Sequence, residues 1–216
     1  MHGDFDSAQT ASGPVVKVDG QVIPVPPDAL QSMGTLIARI ERWALGQHRV
    51  LSLIRVDGYT LPFPGAVKEV KSLKTIEVTT VSFNQRGREV LKRTTMQLEV
   101  LEKQIADYAL LVLVNDLVVA RHIWRDLVTS IRSVLFEMGL LQELCMVDHA
   151  AVMIAVKSLA DHINDVGALQ AKAEMLLRTS EGIVGFSDLL ERDLMEWVQG
   201  LGWFVRRIPD YCLMKN

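Results

Sequence analysis

Cysteine is scarce in this 216-residue chain. Cys145 and Cys212 are the only two, and they form neither a CxxC pair nor a Cys/His ligand spacing. That usage argues against a disulfide framework and a zinc ribbon, and it fits a reducing compartment; a cytoplasmic location is the expectation. An apolar run of membrane length is also missing. The most apolar stretch, Ile105 to Ala120, is interrupted by Asp107, Asn115 and Asp116, falls short of the roughly 20 residues a span requires, and reads as a buried helix. Residues 1–13 carry neither the basic segment nor the apolar core of a secretory signal and read as a flexible tail. Charge of one sign is absent as well: the net value is −3, which provides no overall attraction for phosphate backbones or anionic lipid.

Catalytic signatures are equally sparse. There is no HExxH, HxxxH, ExxH or GxSxG. Gly182-Ile183-Val184-Gly185 lacks the lysine and hydroxyl residue of a phosphate loop and follows no strand. What remains is histidine beside carboxylate: His122 with Asp126, Asp148 with His149, and His162 between Asp161 and Asp165. A metal-dependent or small-ligand enzyme in the helical half would need His122, His149 and His162 to converge. His149 and His162 are thirteen residues apart, so on one continuous helix they would point about 140° away from each other. The reading preferred here is histidines with local carboxylate neighbours, no metal site and no cofactor.

Against these absences stands an internal repeat. Val18-Asp19-Gly20-Gln21-Val22-Ile23-Pro24-Val25-Pro26 matches Val56-Asp57-Gly58-Tyr59-Thr60-Leu61-Pro62-Phe63-Pro64, with valine, Asp-Gly and both prolines in register. Asp-Gly supplies the two positive-φ positions of a type I′ turn, so each copy predicts a β-hairpin. Proline lacks a donor N–H, and the second strand of each hairpin should therefore be an edge strand or leave the ladder near Pro24 and Pro62. Between the copies, Asp28 can cap a helix carrying Leu30, Met33, Ile37, Ile40 and Ala44 at helical spacing, closed by Gly46. After the second copy, Thr75 to Phe83 alternates as a strand.

The order hairpin, helix, hairpin, strand over residues 14–84 resembles the ubiquitin-like β-grasp, which implies one helix packed across a mixed sheet. Sulfur-carrier members of that fold end in a free Gly-Gly, whereas this chain continues into helices, so a carrier role is not implied. The segment Gly20 to Pro24 also resembles the hairpin of swapped-hairpin DNA-binding regulators. The acidic balance and the lack of a clustered basic face near the hairpin weigh against nucleic acid as a partner.

From residue 85 onward the pattern is helical, with no convincing strand. Val90, Leu91, Leu98, Leu101, Ile105, Tyr108 and Val112 form one apolar stripe, and a break near Asn115-Asp116 starts a second through Leu117, Ala120, Trp124, Leu127, Ile131, Val134 and Met138, stopped by Gly139. A further helix from Leu141 to Val166 and a bend at Gly167 follow. In the last helix, capped by Ser187, Leu190, Trp197 and Phe204 recur every seven residues, with Leu194, Leu201 and Ile208 between them. Trp203 lies one position off that seam and, with Phe204 and Arg206, is a candidate partner anchor.

The fold class is therefore α+β: a β-grasp-like ββαββ module over residues 14–84 and an all-α helical bundle over 85–216. With 49% hydrophobic residues and no catalytic motif, the expected function is non-enzymatic. It is that of a protein–protein interaction module (adaptor, chaperone or assembly factor) that self-associates through its helical half.

Overall fold

The computed structural model of the chain describes residues 13–61, 70–145, 147–154 and 156–212. The side chains of residues 71, 154 and 210–212 are not among those described, so the Cys212 thiol lies outside them, as do residues 1–12 of the tail expected over 1–13 and Pro62 to Pro64 of the second repeat. The chain divides into two compact units, Met1–Arg86 and Gly87–Asn216. The architecture is α+β, a five-stranded sheet with one long helix followed by a helical region.

Both Asp-Gly pairs form the turns their sequence dictates. Asp19 and Gly20 have φ of 51° and 82°, and Asp57 and Gly58 have φ of 49° and 85°, the left-handed conformations that Asp tolerates and Gly adopts freely. The first turn joins β1 (Val15–Val18) to β2 (Gln21–Val22), and the second joins β3 (Arg49–Val56) to β4 (Tyr59–Thr60). β2 ends before Pro24, as a residue without an N–H requires. Between the hairpins lies α1 (Met33–Leu45), which buries Met33, Leu36, Ile37, Ile40 and Ala44. Its cap is Ser32, whose Oγ accepts the Thr35 N–H at 3.1 Å, and not Asp28. Asp28 instead precedes a short 3-10 turn, Ala29–Gln31, and faces Arg39 at 3.6 Å.

The last strand of this sheet, β5 (Thr75–Ser82), inserts at its centre, giving the order β2-β1-β5-β3-β4. It runs parallel to β1, from Val15 opposite Thr75 to Val18 opposite Val78, and antiparallel to β3. A parallel pair flanked by two edge hairpins, with one helix between them in sequence, is the β-grasp arrangement. Val16, Val18, Ile76 and Val78 fill the core with Met33, Leu36, Ile37 and Ile40 of α1.

The repeated aspartates bind this central strand. The Asp19 N–H donates to the Val78 carbonyl at 2.9 Å, and Asp19 Oδ1 accepts the Thr80 N–H at 2.7 Å. Asp57 repeats the pattern one strand over: its N–H donates to the Thr75 carbonyl at 3.0 Å, while its Oδ1 accepts the N–H groups of Thr75 at 2.7 Å and Lys74 at 2.9 Å. Each carboxylate thus acts as a surrogate carbonyl, extending the ladder past the end of its own strand. The buried Thr80 hydroxyl donates to Asp19 Oδ2 at 2.6 Å and accepts from Arg49 Nε at 2.6 Å, and Arg49 also reaches the Thr80 carbonyl and Asp19. A polar group on the core face is fully satisfied in this way.

The helical unit opens with an antiparallel pair, α2 (Phe83–Leu113) and α3 (Leu117–Cys145). The break falls at Asn115-Asp116, where Asp116 Oδ1 accepts the N–H groups of Val118 and Val119, each at 3.0 Å. Register along the pair is marked by Arg93–Glu137 at 2.9 Å, Gln97–Ser133 at 3.3 Å and Ser130–Gln104 at 3.1 Å. Gly139 does not stop α3, which runs six residues further to Cys145. The helix expected over 141–166 is also corrected. Residues 147–158 contain a turn in which Asp148 Oδ1 accepts the Ala150 N–H, then a two-stranded ribbon of β6 (Met153–Ile154) and β7 (Lys157–Ser158). Local side-chain bonds compete here with helix: Ser158 Oγ accepts the Asp161 N–H and starts α4 (Leu159–Leu176), which passes straight through Gly167.

The final helical run starts earlier than Ser187. It comprises α5 (Ile183–Asp188), a π-helical stretch (Leu189–Leu194) and α6 (Met195–Cys212). Ser187 is buried within α5 and donates its hydroxyl to the Ala109 carbonyl at 2.9 Å. All six expected seam residues, Leu190, Leu194, Trp197, Leu201, Phe204 and Ile208, are buried together in one core with the inner faces of α2 and α3.

The Asp19 carboxyl is held below the ordinary 3.8: burial alone would raise it, but hydrogen bonds from Thr80 and the Arg49 guanidinium outweigh that effect. Asp57 is also lowered, chiefly by the Thr75 N–H. A depressed carboxyl contributes stability that is fully present above its unfolded value and is lost as pH falls through the folded one. The sheet unit should therefore lose stability as pH falls from about 4, and Asp19→Asn should flatten that dependence in a urea-by-pH series. Asp19→Ala should cost about 2 kcal/mol by leaving the Thr80 N–H without its acceptor, read as accelerated hydrogen exchange at Thr80.

Candidate interaction surface

The three histidines considered as metal ligands have separate local tasks. His122 is exposed on α3, and its Nδ1 lies 3.0 Å from the Val118 carbonyl one turn earlier. His162 is buried on α4. Its Nε2 donates to the Trp197 carbonyl at 2.8 Å, and Trp197 Nε1 donates back to the His162 carbonyl at 2.7 Å, so the two residues clasp α4 to α6. The rings stack at 6.1 Å, and Phe204 closes on the imidazole at 5.5 Å. Gly200 makes this approach possible, because a Cβ there would lie 2.5 Å from His162 Cε1. His149 is buried in the turn before the ribbon, and its Nε2 has no hydrogen-bond partner among the described residues. Burial favours its neutral form and lowers its pKa, with Asp148 opposing. No group of three or more ligating side chains positioned for a metal occurs among the described residues.

The candidate anchor on α6 separates into two faces. Trp203 is 52% exposed, and a guanidinium lies over its ring at 5.6 Å, but this belongs to Arg207. Arg206 is exposed. Phe204 points inward at 2% exposure, as a seam residue of the core, so the outward face at this position consists of Trp203 and its arginines alone.

A larger apolar surface lies at the opposite end of the helical unit, on the stretch whose composition predicts a buried helix. Only Ile105, Ala109, Val112 and Ala120 of the Ile105 to Ala120 stretch are fully buried apolar residues. Leu110 is 66% exposed, Val114 80% and Val118 60%, with Leu111 and Leu113 exposed beside them. The buried-helix expectation fails for a geometrical reason. Residues 110–114 are five consecutive aliphatic side chains, which at 100° per residue point all around the helix, so a core on one side cannot cover them. That feature was present in the sequence and is the signal for this surface.

Two hydrogen bonds bring further elements to the same end. Ser187 Oγ to the Ala109 carbonyl places α5 beside the last turn of α2, and Arg121 Nε to the Leu177 carbonyl at 3.0 Å places the end of α4 beside the first turn of α3. Val184 and Met175, both exposed, come with them. One end of the helical unit thus carries seven large exposed apolar side chains.

The sheet unit has a separate apolar cavity of about 190 Å³ between α1 and the segment following β2, lined by Ile23, Val25, Leu36, Ile40 and Trp43 with Arg39 among its walls. No helix among the described residues is long and apolar enough to cross a membrane.

Gly200→Ala should destabilise the helical unit by about 1–3 kcal/mol, the usual cost of overpacking, measured by urea unfolding. Because His149 titrates below its ordinary 6.5, its contribution is complete above that value and is lost as pH falls through the lowered one. Unfolding curves at pH 8 and pH 5 should differ less for His149→Gln than for the parent protein. Comparison with protein-family models, with curated proteins and with solved structures finds no match for this chain.

Proposed function

We propose that this protein works by binding another protein chain, as an adaptor, chaperone or assembly factor, and that the helical unit carries the contact. The observation that supports this reading is the apolar end formed by α2, α3, α4 and α5. Its aliphatic side chains are exposed while a core cluster lies behind them, so much of their apolar surface is left in water, where it is costly. The histidines support the same reading from the other side. His162 is committed to the α4–α6 clasp and His122 to its own helix, which leaves neither positioned for acid–base chemistry with the other.

The test is site-specific photo-crosslinking of the full chain in cells. A photoreactive residue at Val114 should give discrete protein adducts, whereas the same residue at exposed Lys92, on a polar stretch of α2, should not. Absence of any adduct from Val114, Leu110 and Val118 would remove this reading.

A further inference from the structure

We infer that Asp57-Gly58 is a site of spontaneous isoaspartate formation, and that Asp19-Gly20, the same dipeptide in the same kind of turn, is shielded from it by the strands that hold its carboxylate. Asp-Gly is open to this chemistry because glycine has no Cβ to obstruct its own backbone nitrogen. The Gly58 nitrogen attacks Cγ of the neutral Asp57 carboxylic acid. An N–Cγ bond forms, the Cγ–OH bond breaks, and the hydroxyl leaves as water with the proton of the amide. The product is a five-membered succinimide. Water then adds at one of its two carbonyl carbons: opening at Cγ restores aspartate, whereas opening at the α-carbonyl carbon leaves the chain running through Cβ and Cγ with a free α-carboxylate. Solvent water is the only co-reactant, and nothing is oxidised or reduced.

The two carboxyls are held differently. Both oxygens of Asp19 are engaged. Oδ1 accepts the Thr80 N–H at 2.7 Å, and Oδ2 accepts the Thr80 hydroxyl at 2.6 Å and Arg49 Nη2 at 3.2 Å. Turning this group toward Gly20 would break bonds to β5 and β3 at once, on a buried threonine. For Asp57 every hydrogen bond falls on Oδ1, from the N–H groups of Thr75 at 2.7 Å and Lys74 at 2.9 Å and from the Thr75 hydroxyl at 3.4 Å. Its Oδ2 accepts none among the described residues.

Position in the sheet adds to this asymmetry. Asp19 is tied to the middle of β5 and to β3, whereas Asp57 is tied only to the first residue of β5 and the one before it. Asp57 is exposed, and its turn leads into β4, a two-residue edge strand whose Tyr59 is 81% exposed. A hairpin end of this kind opens locally far more often than a strand centre, and each opening frees the Asp57 carboxyl to turn toward the Gly58 nitrogen. Conversion adds one carbon to the main chain between Val56 and Gly58 and displaces the acceptor used by Lys74 and Thr75, so it loosens the start of β5.

Peptide mapping of the full chain after weeks in warm, mildly acidic buffer tests this, with electron-transfer fragmentation to tell the two linkages apart. Isoaspartate is expected at position 57 about tenfold faster than at position 19 in the folded chain. In strong urea, where both turns are lost, the two rates should meet. Thr80→Val, which removes the hydroxyl and keeps the β-branched shape, should raise conversion at Asp19 several-fold and leave Asp57 unchanged. Should that variant lose its circular dichroism, Arg49→Met frees the same Asp19 oxygen and serves in its place. Equal rates in the folded chain, faster conversion at Asp19, or an Asp57 that stays intact would overturn the inference. So would a gap that persists in urea, which would place the difference in the neighbouring sequence, or a folded variant in which Asp19 converts no faster.

Discussion

The sheet unit depends on two carboxylates that stand in for backbone carbonyls. β5 is the last strand of this sheet in sequence and the central one in space, and its parallel partner β1 lies about sixty residues away, a contact whose loop-closure cost precedes any gain from pairing. β1 covers β5 only as far as Val78, and β3 reaches only Ile76 at the other end. Asp19 and Asp57 extend the ladder past both limits, each pairing through its own N–H and its side-chain oxygen. The positive φ that places each aspartate in a type I′ turn also turns its carboxylate back toward β5. Turn chemistry and long-range pairing are thereby joined in one residue, twice, and the repeat in the sequence is explained by this shared task.

The helical unit is organised by a different constraint, the limited width of an apolar stripe. The inner faces of α2 and α3 and the seam of α6 use their heptad-like positions for one continuous core. His162 and Trp197 seal α4 to α6 by exchanging hydrogen bonds over Gly200, which spends a buried histidine on packing and removes it from chemistry. At the far end the sequence supplies more aliphatic residues than the stripe can hold. The surplus surrounds the α2–α3 turn, and the proposed function follows from it.

Much of the fold was legible. The Asp-Gly turns, α1, β5, the Asp116 break and the full α6 seam all follow from spacing and turn chemistry, because each is set by residues within a few positions of one another. The errors share a cause. Gly139 reads as a stop, yet a glycine in a long, well-packed helix costs only about 1 kcal/mol, which the buried Val134, Met138 and Leu141 on the same face offset. Asp28 and Ser187 have side chains that can cap a helix, but Ser32 holds the α1 cap, and Ser187 lies within α5 with its hydroxyl on the Ala109 carbonyl. The ribbon at 153–158 was invisible because two-residue strands carry no periodicity.

By itself the sequence determined the turns, the helix faces and the division into a mixed sheet and a helical region, since local sterics and hydrophobic period act over short stretches of chain. Tertiary structure alone decided that the two aspartates meet β5, that His162 faces Trp197 while His122 and His149 go elsewhere, and that Phe204 turns inward while Trp203 turns out. It also decided that the most apolar segment of the chain is split, with Ile105, Ala109, Val112 and Ala120 in the core and Leu110, Val114 and Val118 facing solvent. The reason is that burial belongs to surroundings rather than to residues: an aliphatic side chain is interior only where another element arrives to cover it, and among the described residues of the helical unit none covers these.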